Sequence, residues 1–135
     1  MTGKGSLNHN SRKFHAKNTD PNRTHWNVEY CNEDIKDVYH ELFDDALKRY
    51  NDKQTRKDRK IDDYYEKIRS GKQEKLFHEV ILQIGDKDNM GSETMEGQLA
   101  AKILDEYMKG FQERNPTLRV FAAHLHLDGA TPHLH

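Results

Sequence analysis

The chain has 135 residues and a mass of 15.9 kDa, enough for one small domain that buries a modest core without metal or disulfide staples. Charged residues make up 33% and hydrophobic residues another 33%, with a mean hydropathy of -1.12. The apolar residues nevertheless gather into periodic runs, which implies a folded, highly charged protein rather than a disordered one. The lone Cys31 excludes an internal disulfide and a cysteine-only metal site, and suits a reducing compartment. No apolar run approaches the roughly 18 residues of a membrane span, and the polar N-terminus lacks the apolar stretch of a signal peptide. A soluble, cytoplasmic protein without a membrane segment is expected. Net charge is -1, but residues 1–25 carry five Lys/Arg against Asp20 alone, a formal +4 that leaves -5 for the remainder. A polyanion would be drawn to this N-terminal segment; the plain alternative is a solvated basic arm.

In chain order, residues 1–27 are rich in Asn, Gly, Ser, Lys and Arg and read as loop, followed by a short strand near Val28–Cys31. Apolar residues then recur at three- and four-residue spacing from Ile35 to Tyr50, predicting an amphipathic helix from Glu33 to about Lys53. A second helix is expected over Arg59–Arg69, with Ile61, Tyr64, Tyr65 and Ile68 inward and Ser70-Gly71 ending it. The tyrosines read as core. Lys75–Ile84, "KLFHEVILQI", reads as a buried strand closed by Gly85-Asp86. From about Glu93 to Arg114, Leu99, Ala100, Ile103, Leu104, Tyr107, Met108 and Phe111 form another helical stripe, stopped by Asn115-Pro116. Leu118–Leu127 reads as a strand, and Asp128-Gly129 as a turn that sends the chain back antiparallel. This order predicts a single α+β domain over residues 1–135, an antiparallel sheet covered by helices.

Four of nine histidines fall in the last thirteen residues, "AHLHLDGATPHLH". Side chains of a strand alternate faces, so His124 and His126 point opposite to Leu125 and Leu127, and His133 and His135 share a face after the turn. Across a hairpin, His126, His133 and His135 can meet on one cation. Three neutral imidazoles leave a divalent ion its full charge and open positions, suited to polarising a phosphate more than to a closed structural zinc site. His124 is an ambiguous fourth member.

"HLDGATPHLH" resembles the histidine motif of the Mob/Pre family of plasmid mobilisation and recombination proteins, relaxases among the HUH endonucleases, whose name matches His133-Leu134-His135. "HNSR" at His9–Arg12 and "DPNRTHWN" at Asp20–Asn27 are similar to the family's N-terminal signature. The resemblance implies a HUH relaxase-like fold and metal-dependent single-strand DNA nicking and rejoining at an origin of transfer. The expected cofactor is Mn²⁺ or Mg²⁺, with Zn²⁺ admitted, and the expected partner is plasmid DNA, single-stranded at the nick. It implies a histidine nucleophile at His9 that attacks phosphorus and stays joined to the 5′-phosphate. It implies DNA contacts by Arg12, Lys13 and Arg23, with His25 and Asn27 orienting substrate or nucleophile, and it admits a dimer. Two departures stand out. Gly129 occupies a position where the family usually carries Glu, with Asp128 a partial substitute, and family members continue past the strand begun at His135, so a fragment truncated within the sheet is expected. A non-catalytic DNA-binding module and a zinc-stabilised structural domain are the competing readings.

Overall fold

The protein's structure, a computed structural model, describes residues 2–3, 6–14 and 16–135; Lys4, part of the basic N-terminal excess, lies outside them. Two compact units make up the span, Met1–Asn32 with Glu79–His135, and Glu33–His78. The first unit opens with β1 (Thr2–Gly3), α1 (Leu7–Asn10), a 3-10 helix at Pro21–Trp26, and β2 (Val28–Asn32). The second holds α2 (Ile35–Asp52), a 3-10 turn at Lys57–Arg59, and α3 (Tyr64–Ser70). The first then resumes with β3 (Glu79–Val80), β4 (Leu82–Gln83), α4 (Met95–Lys109), α5 (Phe111–Arg114), β5 (Ala122–His126) and β6 (His133–Leu134). The fold is α+β, built on an antiparallel four-stranded sheet in the order β2-β5-β6-β4, with a separate β1-β3 ribbon.

The strand period of two divides the sheet into two chemistries. Leu125 faces Leu134 across the β5-β6 ladder, and both bury against Leu104 of α4. The next pair, His126 opposite His133, therefore lies on the other face. Thr94 caps α4 by accepting the Gly97 N–H at 3.0 Å, and Gly97, Ala100 and Leu104 form its buried stripe. Gly97 is needed for close approach, since a Cβ there would stand 1.9 Å from the Gly91 carbonyl oxygen. Tyr30 sits at an irregularity in the β2-β5 ladder, joins the leucine cluster and donates to Asp105 of α4 at 2.5 Å. In the second unit, Asp34 and Asp63 cap α2 and α3, and Tyr39, Phe43, Tyr64 and Tyr65 pack ring on ring. These tyrosines are half-buried and pack on one another, while the buried residues of this unit are Val38 and Ile68.

Several boundaries differ from the sequence reading for physical reasons. Lys75–Ile84 is not one buried strand: Glu79 and Val80 pair with β1, whereas Leu82 and Gln83 pair with β6 at the sheet edge, so the chain changes partner at Ile81. The strand expected over Leu118–Leu127 begins only at Ala122, whose partner Asn32 is the last residue of β2. The helix expected from Arg59 starts at Tyr64, where the Asp63 carboxylate accepts the Glu66 N–H at 3.0 Å. The long final helix breaks at Gly110 into α4 and α5. Residues 1–27 hold short helical pieces, α1 and the 3-10 helix, too short to show a periodic apolar pattern. Replacing Leu125, 2% exposed at the centre of the leucine face, with alanine should lower the unfolding free energy by about 2–5 kcal/mol in urea titrations.

Candidate metal centre and nucleophile

β5 and β6 bring His126, His133 and His135 together, with one ligand-competent atom from each within 4.8 Å of the others. The ring centroids are 4.8 to 5.2 Å apart. Each imidazole has one nitrogen engaged by a protein oxygen. His126 Nε2 donates to the Asn10 carbonyl at 2.8 Å, His133 Nδ1 to the Thr131 carbonyl at 2.8 Å, and His135 Nδ1 to Glu79 Oε1 at 3.1 Å. The lone pairs left over are on His126 Nδ1 and on Nε2 of His133 and His135. His126 Nδ1 is buried without a hydrogen-bond partner, an arrangement that costs about 1–3 kcal/mol unless something fills it. Three nitrogen donors with fixed tautomers fit a divalent cation. Burial pushes all three imidazoles below the ordinary histidine range, His126 down to about 3, so they stay neutral and able to coordinate. His124 shares the face and its ring is 6.0 Å from that of His126. It lies outside the trio, its Nε2 3.2 Å from Oε2 of its cross-strand neighbour Glu29.

The N-terminal motifs wrap the same turn. α1 carries His9 to the cluster, with ring centroids 6.2 Å from His126 and 6.5 Å from His135. Just past α1, Arg12 adopts φ 52°, a left-handed conformation costing a non-glycine residue about 1–2 kcal/mol. That conformation turns its guanidinium inward. Nε donates to Asp128 Oδ2 at 2.8 Å, Nη2 donates to Asp128 Oδ1, and Nη1 lies 3.2 Å from His9 Nε2 and donates to the His9 carbonyl at 3.1 Å. Burial alone would raise the Asp128 carboxyl, but the hydrogen bonds and charge of Arg12, with a further bond from Thr24, overcome it and hold the group well below the usual carboxylate range.

The second motif pins the histidine turn through its backbone. The Asp20 N–H donates to the Asp128 carbonyl at 2.8 Å, and Asn27 Oδ1 accepts from the N–H groups of Leu127 and Asp128 at 2.7 and 3.2 Å. Arg23 donates to the carbonyls of Leu127 and Gly129 at 3.4 and 3.3 Å. From the other side, Ser92 holds the Gly129 and Ala130 carbonyls.

These contacts revise several sequence expectations. The guanidinium groups of Arg12 and Arg23 and the side-chain oxygen of Asn27, read as DNA contacts or substrate-orienting groups, are engaged inside the protein, Asn27 Nδ2 being buried without a partner, whereas Lys13 and His25 are exposed. Asp128 has no accessible surface and is committed to Arg12 and Thr24, so it cannot stand in for a free carboxylate at position 129. Gly129 is not a left-handed turn residue; among the described glycines only Gly85 has that geometry. The connection from β5 to β6 is a loop over residues 127–132 held by hydrogen bonds, not a two-residue turn. Tyr30 is on the leucine face, opposite the imidazoles. Glu79 and Asn10 were not singled out from sequence. Their signals were an acid within the apolar run "LFHEVILQI" and the second residue of the His-Asn-x-Arg element.

A family model described as a plasmid recombination enzyme, Mob_Pre, matches residues 4–135. The chain belongs to the Mob/Pre family. A solved structure described as the MobM relaxase domain bound to plasmid pMV158 oriT DNA, Mn-bound at pH 5.5, is 27% identical with a TM-score of 0.52. The alignment covers 96% of this chain and 59% of that one. No curated protein matches this chain. Among the described residues, no helix is long and apolar enough to cross a membrane.

Removing one partner of a buried ion pair strands the other, so Arg12→Ala should cost about 3–5 kcal/mol of stability in denaturant titrations, and Arg12→Met with Asp128→Leu should recover much of the loss. The pH dependence follows from the signs. The unfolded chain protonates its histidines below about pH 6.5 while the folded trio resists, so the folded state holds fewer protons there. The thermal midpoint of the metal-free protein should therefore fall as pH is lowered from 6.5 towards 5. The contribution of Asp128, whose folded pKa is depressed, should persist through that window and disappear only under stronger acid, as pH falls through that depressed value.

Proposed function

We propose that this protein is a divalent-metal-dependent DNA relaxase of plasmid mobilisation, which nicks and rejoins one strand at an origin of transfer. The carrying observation is that His9 stands 6.2 and 6.5 Å from two of three clustered imidazoles with free, neutral nitrogens. A phosphate bridging this group of residues would meet a nucleophile on one side and a cation site on the other. His126, His133 and His135 would hold Mn²⁺ or Mg²⁺, with Zn²⁺ admitted by the same donors. When bound, the ion supplies Lewis-acid polarisation of a phosphate oxygen.

The chain's own residues provide position and proton control. Arg12 Nη1 donates to His9 Nε2, which leaves the ring proton on Nδ1 and holds the imidazole towards the cluster. Once the phosphate draws the Arg12 guanidinium off that lone pair, Nε2 can attack: a nitrogen–phosphorus bond forms as the bond from phosphorus to the 3′ oxygen breaks, solvent protonates the departing 3′ oxygen, and return of that oxygen with loss of its proton reverses the exchange. Lys13, exposed beside this motif, and His25 are available to the phosphate backbone. Phe14 is 50% exposed with its ring 5.7 Å from that of His9, and Trp26 is 43% exposed next to His25. Both offer faces on which unpaired bases can stack.

Gly129 and the committed Asp128 favour a second reading, a non-catalytic DNA-binding module of the same fold, because neither supplies a free acid or base beside the imidazoles. A labelled single-stranded origin oligonucleotide incubated with Mn²⁺ separates the two: the relaxase forms a covalent protein–DNA band, and the binding module gives only a salt-sensitive complex. His126→Ala, His133→Ala and His135→Ala should each weaken Mn²⁺ binding on the order of tenfold or more in calorimetry. His9→Ala should abolish the covalent band and leave Mn²⁺ affinity near wild type. Wild-type Mn²⁺ affinity in all three ligand variants would remove the three-histidine site.

A further inference from the structure

We infer that Asn10 and Glu79 form a positioning relay that ties the histidine cluster to the segment carrying His9, an inference that rests on the metal site and nucleophile proposed above. Asn10 is 7% exposed and reaches two of the three imidazoles by different groups. Its carbonyl accepts the His126 Nε2–H at 2.8 Å, and its side-chain Nδ2 donates at 2.6 Å to Glu79 Oε1. The same Glu79 oxygen faces His135 Nδ1 at 3.1 Å. The result is a closed path from His126 through Asn10 and Glu79 to His135, and His9 is one peptide bond from its centre.

Two consequences follow from the chemistry. Glu79 has a side chain only 10% exposed, and an ionised carboxylate so buried requires donors. Among the described residues, Asn10 and His135 fill that role. A carboxylate accepting from Nδ1 fixes the tautomer that leaves Nε2 of His135 free, and increases that nitrogen's strength as a ligand. Glu79 is not among the atoms that converge on the cation position, so it acts through His135. The second consequence is geometric. α1 is a single turn of four residues, too short to hold its orientation alone. The two bonds of Asn10, one through its backbone carbonyl and one through its side chain, restrict its rotation about the cluster and with it the distance from His9 to the cation position. Ligand geometry and nucleophile placement thus share one residue.

The test uses Mn²⁺ alone and the whole chain. Glu79→Gln preserves shape, and Asn10→Ala preserves the backbone carbonyl. Each should weaken Mn²⁺ binding about tenfold by calorimetry, and the double variant should lose less than the product of the two, because both break the same path. Ring ¹⁵N spectra of metal-free wild type should show His135 protonated at Nδ1, with a mixed tautomer in Glu79→Gln. With Mn²⁺ saturating, Asn10→Ala should slow covalent adduct formation about tenfold without changing the affinity for the strand. A purely structural role would lower stability and leave tautomer and saturated rate unchanged. Wild-type Mn²⁺ affinity and ring spectra in folded Asn10→Ala and Glu79→Gln, with His126→Ala losing binding, would overturn the relay alone. Equal Mn²⁺ binding by wild type and His126→Ala would overturn the metal site and the relay with it. A wild-type His135 protonated at Nε2 would overturn the relay without any variant.

Discussion

The buried ion pair between Arg12 and Asp128 is the interaction on which the rest of this site depends. It joins residues 116 positions apart in sequence and carries the histidine turn at one end and the His9 segment at the other. Both charges are almost fully removed from water, with side-chain exposures of 8% and 0%. The pair therefore has to be satisfied at every lone pair and proton to be tolerated. Thr24 adds a donor to the same carboxylate and the His9 carbonyl accepts from the same guanidinium. Arg12 adopts a backbone conformation usually left to glycine in order to make these bonds. An arginine is required there because its planar fork can hold a carboxylate with two nitrogens and still present a third to an imidazole.

The sheet supplies the rigid frame for that arrangement. β5 and β6 use one strand period for two purposes, burying Leu125 and Leu134 under α4 while placing His126 and His133 on the opposite face. A one-residue slip in register would exchange the faces and expose the leucines. Hydrophobic burial on one side thus enforces the placement of ligands on the other. His135 stays in line because its N–H and carbonyl both pair with His124.

Around that frame, short segments do the electrostatic work. The 3-10 helix at Pro21–Trp26 and the residues flanking it direct Asp20, Arg23 and Asn27 at the backbone of the 127–129 turn. Ser92, carried by the loop that Gly97 allows to approach, holds the same turn from the other side. Burial keeps the three imidazoles neutral, the state in which they can coordinate a cation. The exposed surface beside this interior is left to Lys13, Phe14, His25 and Trp26.

The sequence by itself determined the α+β class, the leucine and histidine alternation near the C-terminus and the two N-terminal motifs, because each is a local pattern: a period, a capping residue or a spacing. It also determined which three imidazoles can meet, since strand alternation and one antiparallel return suffice for that. The tertiary structure alone decided what the motif residues do. Arg12, Arg23 and Asn27 read as groups for a ligand because the short polar segments that carry them do not show the distant partners that engage them, although Arg23 also meets Asp20 three residues away. Their partners, Asp128 and the carbonyls and amides of residues 127–129, are 100 or more positions away. Glu79 remained hidden for the same reason, since an acid in an apolar run acquires meaning only when Asn10 and His135 close around it. Strand ends were equally non-local: Ala122 starts β5 because β2 ends opposite it, and Ile81 divides β3 from β4 because the chain changes partner there. Pairing of this kind is a property of two segments, and neither carries it alone.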